Sequence, residues 1–136
     1  MELEIVHVVE GALEDGEGRN VPLSVRLDYR AAAPYAVEFE LFAYDMSLIW
    51  TVGRDLLIDG LNSVSGHGDV VVWPALDGRH DRVVLCLRNG SRSGFFSLSR
   101  YDLDVFLRQT LDMVPAGCEG GGTDLERKLT DWLADD

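Results

Sequence analysis

Cysteine, histidine and basic residues are scarce in this chain, and each scarcity removes a class of function. Two cysteines in 136 residues do not make a disulfide framework. Cys86 falls in the apolar run 83–87 and reads as a small core residue, while Cys118 falls in a later glycine-rich loop. The three histidines, His7, His67 and His80, stand far apart. No H-x-x-x-H, C-x-x-C or carboxylate–histidine grouping accompanies them. Zinc needs three or four ligands at suitable spacing, so no metal site is expected, and no cofactor. Twelve basic residues face 24 acidic ones, a formal charge of −12. Nucleic-acid binders usually present a basic face, so this balance argues against a nucleic-acid partner. The nearest basic group is Arg79, Arg82, Arg88 and Arg92. Its first two members are interleaved with Asp77 and Asp81, as on a solvated face. No apolar run nears the ~18–20 residues of a membrane span, so no membrane insertion is expected. The opening M-E-L-E has no basic n-region, so no secretory leader is expected either. A cytoplasmic protein is the expectation.

What is present is enough for one domain, spanning 1–136. The first part reads as strands. Residues 3–10 alternate weakly. Leu23, Val25, Leu27 and Tyr29 alternate with polar residues at the period of a half-buried strand, with Pro22 at its first position. Tyr35, Val37, Phe39 and Leu41 form another apolar face, and residues 48–52 a fourth run, entered through Asp45 and Met46. These four runs suggest an antiparallel meander. Residues 54–61 read as a short helix, with Asp55 in the first turn and Gly60 as a left-handed cap.

A second set of strands follows. Residues 69–73 are apolar on both faces and read as a central strand ended by Pro74. Residues 82–88 and 93–98 flank Asn89-Gly90, a strong hairpin signal. Ser99 to Asp102 has the form of a capping box. Leu103, Phe106, Leu107, Leu111 and Val114 then follow a helical stripe, stopped by Pro115 and Gly117. Thr123 to Glu126 is a second capping box, opening a terminal helix with Leu125, Leu129, Trp132 and Leu133 on one face. The pattern is α+β: a mainly antiparallel sheet in two strand-rich halves, a short middle helix and two C-terminal helices.

Catalytic patterns are weak. In G-H-G-D, His67 and Asp69 invite an acid–base reading, as in a small hydrolase. A glycine turn explains the same residues, with Gly66 and Gly68 supplying positive φ. Gly90-Ser91-Arg92-Ser93-Gly94 fails the nucleophile-elbow pattern because Arg92 is central. Gly120-Gly121-Gly122-Thr123 precedes a helix, but Asp124 and Glu126 repel an anion there. Trp50, Trp73, Phe95 and Phe96 lie in apolar strands, where core packing is the default over base stacking. No catalytic residue is assigned.

Four blocks, in order, resemble one known family. L-D-Y-R-A-A-A-P-Y-A-V at 27–37 is similar to R-Y-x-x-x-D-P-Y-A-V. W-T-V-G-R-D-L-L-I-D-G-L at 50–61 is similar to W-x-F-x-R-[DE]-L-L-x-[DE]-G-L. G-H-G-D-V-V-V-W-P at 66–74 resembles G-x-G-D-V-R-V-W-P. F-L-R-Q-T and V-P-A-G-C-E at 106–119 resemble F-L-x-R-T and V-P-x-G-x-E. The chain departs at Ala33, where the family has Asp, and at Val71, where it has a basic residue. The pattern is that of the SsgA-like regulators of sporulation and cell division in actinomycetes.

The resemblance implies a homotrimer and a fold similar to the Whirly and guide-RNA-binding proteins, an analogy of fold that does not transfer nucleic-acid binding. It implies no enzymatic activity. Family members position division and wall-synthesis machinery in the cytoplasm, so the implied partners are cell-division proteins, of the FtsZ type or other SsgA-like proteins, at the septum. A single-stranded nucleic-acid-binding module is the alternative. The candidate partner-binding residues are Arg54, Asp55, Asp59 and Gly117. Arg54 follows an apolar strand and is placed to pair with a buried or a partner carboxylate. Asp55 and Asp59 project from the short helix. Gly117 lies just beyond the helix stop. Arg54 and Gly117 also have structural readings, as an internal ion pair and as a backbone requirement.

Overall fold

The computed structural model describes residues 3–14, 19–43, 45–75, 81–90 and 92–119. A long antiparallel meander opens the chain. β1 (Glu4–Glu14), β2 (Asn20–Arg30), β3 (Ala36–Ala43) and β4 (Met46–Gly53) each pair with the next. The short helix α1 (Arg54–Gly60) follows directly. β5 (Val70–Pro74), β6 (Arg82–Asn89) and β7 (Arg92–Ser99) make a second meander, and α2 (Arg100–Met113) comes last. β7 returns to pair with β1 at Gly11–Glu14. The result is one seven-stranded sheet in the order β4-β3-β2-β1-β7-β6-β5, curled into an open half-barrel. The expected terminal helix from Thr123 lies outside the described residues, as do His80, Arg79 and the run Gly120–Thr123.

Strand period and register decide which side chains go inside. Val9 sits opposite Val25, Val25 opposite Leu41, and Leu41 opposite Leu48. The inner face carries Val25, Leu27, Tyr29, Val37, Phe39, Leu85, Phe96 and Leu98, all buried. Phe39 of β3 meets Phe96 of β7 edge-on at 5.9 Å between ring centres, so the two arms of the curled sheet touch across the interior. The stripe Leu103, Phe106 and Leu107 of α2 completes this core. Ser99 caps α2 as its sequence suggests, accepting a hydrogen bond from the Asp102 amide at 3.3 Å.

Several expectations need correction. β5 is an edge strand, not a central one. Its outer edge meets the loop before it: Ser65 and Val72 exchange backbone hydrogen bonds of 2.8 and 2.9 Å. This cover, with the packing of α1, explains why an edge reads as buried. Gly60 is helical rather than a left-handed cap, and Leu61 caps α1 with φ −64°. A Cβ at Gly60 would lie 2.3 Å from Val72 Cγ1, so this glycine lets α1 approach β5. Pro22 falls inside β2, opposite Ala12. The β2–β3 ladder begins only at Ser24, so the missing Pro22 donor meets no strand on that side. Tyr35 is exposed and precedes β3, and Cys86 is half-buried on the outer sheet face rather than in the core. Both tight turns sit one residue away from the expected dipeptide: Met46 already pairs with Ala43, and Asn89 with Arg92.

Candidate functional site

The largest fully buried side chain is a charged one, Arg54, with 1% of its surface exposed. It is the first residue of α1, and its amide donates to the Tyr35 carbonyl at 2.8 Å. Its side chain runs inward to the far end of α2. Nη1 donates to the carbonyls of Thr110 at 3.1 Å and Val114 at 2.7 Å. Nη2 donates to Glu119 Oε1 at 2.8 Å. The guanidinium lies over the Tyr29 ring, 5.2 Å from its centre, a cation–π contact inside the core. The Tyr29 hydroxyl donates to the Pro34 carbonyl at 2.9 Å.

Glu119 is returned to Arg54 by a turn. Its second oxygen accepts the Gly117 amide at 2.8 Å. Gly117 has φ +86°, a conformation that favours glycine, and among the described residues a Cβ there would meet nothing within 4 Å. The requirement at Gly117 is therefore one of backbone, not of space. The hydrogen bond from Arg54 holds the Glu119 carboxyl below the usual carboxylate range. Burial pushes the Tyr29 hydroxyl up, with the Arg54 charge partly opposing it.

A second arginine repeats the device in reverse. Arg100, the first residue of α2, sends Nε to the Leu61 carbonyl at 2.8 Å and Nη2 to Asn62 Oδ1 at 2.6 Å. Helix C-termini carry unpaired carbonyls and a partial negative charge. Neither α1 nor α2 has a basic residue in its own last turn. Each receives its terminal cation from the first residue of the other.

Of the sequence candidates, the structure brings Arg54 and Gly117 together through Glu119. Asp55 and Asp59 are exposed on α1 and stand apart from that cluster. The Asp59 carbonyl accepts from the Asn62 and Ser63 amides and from Ser63 Oγ, closing the helix. His67 and Asp69 are both exposed in a turn whose glycines, Gly66 and Gly68, have φ +90° and +82°. Arg82, from the basic group, donates to Ser97 Oγ and the Ser97 carbonyl, both at 3.0 Å. Phe96 is core, whereas Phe95 is 38% exposed on the outer face and meets Trp73 edge-on. Among the described residues, no three His, Cys, Asp or Glu side chains are placed to hold a metal ion.

Sequence reasoning missed Glu119, Thr110, Arg100 and Asp28. Glu119 was visible as the last residue of V-P-A-G-C-E, but nothing local links it to Arg54. Asp28 is 4% exposed although it belongs to the polar half of an alternating strand. Its carboxylate lies 3.6 Å from both Arg26 and Arg30 and, among the described residues, makes no hydrogen bond.

Residues 23–119 match the family described as "Streptomyces sporulation and cell division protein, SsgA". The chain belongs to the SsgA family. The sporulation-specific cell division protein SsgB of Frankia casuarinae is 36% identical over 113 residues, covering 82% of this chain and 79% of its own. SsgB of Streptomyces coelicolor is 34% identical over 85% of each chain. The solved SsgA-like sporulation-specific cell division protein from Thermobifida fusca superposes with a TM-score of 0.83, at 31% identity and 95% of both chains. A solved structure from work on SsgB and longitudinal cell division during sporulation of Streptomyces coelicolor gives 0.82, at 28% identity, over 88% of this chain and 95% of that one. The antiparallel half-barrel with two helices is thus the architecture of solved SsgA-family proteins. All four sequence blocks, and the Arg54–Glu119 pair, lie within the residues 23–119 that match the family.

Proposed function

We propose that this SsgA-family protein is a non-catalytic regulator of sporulation-linked cell division and wall morphogenesis. It recruits or positions division and wall-synthesis proteins at septa, from the cytoplasm, as a homotrimer. Its partners are cell-division proteins, of the FtsZ type or other SsgA-like proteins. The names of its relatives support the process. The observation that supports recruitment over chemistry is the use of Arg54. This buried cation is engaged with the chain's own helix end, while Val8, Leu48 and Ile49 stand 67%, 53% and 57% exposed on the sheet. Val8 and Ile49 stand at the two ends of an outer-face row through Arg26 and Glu40, and Leu48 stands on the inner face, so they offer separate apolar contact points to other proteins. Among the described residues, no helix is long and apolar enough to cross a membrane.

Asp55 and Asp59, exposed on α1, remain the proposed partner contacts. Arg54 and Gly117 contribute by fixing the chain beside them. The test is a fluorescent fusion in sporulating cells that make the protein, with affinity capture. Septal bands and capture of division proteins are expected. A diffuse signal with no such capture would overturn the reading.

The likeness to Whirly and guide-RNA-binding folds belongs to the same proposal, and it carries the rival, a single-stranded nucleic-acid module. The exposed Phe95 ring beside Trp73 is what favours that rival. A gel shift with single-stranded oligonucleotides at low salt separates the two. Retained DNA or RNA would favour the module.

A further inference from the structure

The two edges of the sheet are treated differently. The β5 edge is bridged by Ser65 and ends at Pro74. The β4 edge is open: among the described residues, no strand pairs with it on the side away from β3. Natural edge strands are usually guarded by charge, proline, bulges or short length. β4 is eight residues long, M-S-L-I-W-T-V-G, with no charge and no proline. Its Leu48 and Ile49 are exposed on opposite faces of the sheet.

Those faces differ in chemistry. On the inner face, Leu48 and Trp50 wall an open, mainly apolar groove of about 260 Å³, lined also by Leu13, Leu41, Leu87 and Phe96. On the outer face, Ile49 lies opposite Glu40 and Thr51 opposite Glu38. Glu38 is exposed, and the Arg26 guanidinium stands 4.0 Å from Glu40. An added strand places alternate side chains on the two faces. Backbone hydrogen bonds then give affinity, and the alternate side chains give selectivity.

We propose that the free edge of β4 accepts an extended segment of a partner protein in which apolar and basic side chains alternate. The apolar side chains enter the groove beside Leu48 and Trp50, and the long basic ones reach across Ile49 and Thr51 toward Glu38 and Glu40 on β3. A second copy's β4 is disfavoured as the occupant, because M-S-L-I-W-T-V-G carries no basic side chain to turn toward Glu38 and Glu40. This deepens the recruiting role and rests on it for its place in the cell.

The test uses the full chain and a fluorescent eight-residue peptide of alternating valine and lysine. Two N-methylated isomers block one or the other edge of the added strand. Saturable binding is expected, with one isomer weakened by about tenfold through its lost hydrogen bonds and the other unaffected. Ile49→Lys, at an exposed position, weakens the parent peptide, and a serine–lysine peptide of equal charge binds poorly. No saturable binding at millimolar peptide would overturn the proposal. So would equal binding of both isomers, of the serine–lysine peptide, or by Ile49→Lys. A self-association dissolved by Ile49→Lys would overturn it in favour of a second copy. Loss of septal bands with peptide binding intact would instead overturn the recruiting role alone.

Discussion

Arg54 and Arg100 are reciprocal: each opens one helix and closes the other. Arg54 begins α1 and binds the last carbonyls of α2, and Arg100 begins α2 and binds the Leu61 carbonyl after α1. The two helices are thereby tied head to tail, and Arg54 also rests on the Tyr29 ring of β2. Conserving that tie, rather than presenting charge to a partner, is the evident local work of Arg54.

Removing Arg54 strips the charged donor from the Val114 carbonyl and Glu119 Oε1, while the Thr110 carbonyl keeps the Val114 amide and Glu119 Oε2 keeps the Gly117 amide. Breaking a buried pair from one side costs about 3–5 kcal/mol. Arg54→Met is expected at the lower end of that range, since Glu119 lies 10% exposed at the edge of the core. Urea unfolding gives the number. A cycle with Glu119→Gln isolates the ion pair, and the double variant should be less than additive.

The acid limb of stability has a defined sign. Glu119 has a folded value held below its ordinary 4.5 by the Arg54 hydrogen bond. Its contribution is therefore fully present above pH 4.5 and is lost as pH falls through the lowered value. Glu119→Gln should be less stable than the parent at neutral pH, and the gap should close in acid. Tyr29 acts at the other limit. Burial lifts it above 10.0, so stability falls as pH rises past 10.0 and the unfolded chain ionises first. Thermal unfolding against pH for parent, Glu119→Gln and Tyr29→Phe checks both limbs. A Gln variant whose deficit persists unchanged in acid would remove Glu119 as the cause.

Much of this fold was legible in the sequence because period-2 alternation and turn residues are local signals. The runs at Leu23–Tyr29 and Val37–Leu41 read correctly for that reason, as did the Ser99 cap and the α2 stripe. What failed was set by distant partners. β5 looked central because apolar side chains on both faces are also what a covered edge requires, and the Ser65 bridge is invisible locally. Gly60 looked like a cap because nothing in the sequence says that Val72 packs against it. Arg54 was singled out, but its carboxylate partner lies 65 residues away. Asp28 kept strand alternation and gave no sign of its burial.

Gly60 offers a direct test of close packing. An alanine there would bring Cβ to 2.3 Å from Val72 Cγ1 and 2.7 Å from Val72 Cβ. The helix or β5 must shift, and overpacking of this kind costs about 1–3 kcal/mol. Helix propensity runs the other way by up to about 1 kcal/mol, so packing should win. Gly60→Ala is therefore expected to lower the unfolding midpoint, and Val72→Ala in the same chain should restore part of it. A stabilised Gly60→Ala would sink the idea that the α1–β5 contact requires glycine at this position.

Lysine substitutions distinguish a fork from a point charge. Arg54 reaches three acceptors on two different segments, and Arg100 reaches two, at Leu61 and Asn62. A lysine ammonium keeps the charge but cannot span such acceptors with a planar fork. Arg54→Lys should therefore retain little of the stability of the parent, despite preserving attraction to Glu119. Arg100 is only half-buried, so Arg100→Lys loses less, about 1.5 kcal/mol, the lower end for one hydrogen bond to a charged group. Hydrogen exchange should report each loss at the opposite helix: amides near Val114 for Arg54→Lys, and those of Leu61 to Ser63 for Arg100→Lys. If each substitution instead loosens only the helix that carries it, the reciprocal tie does not operate.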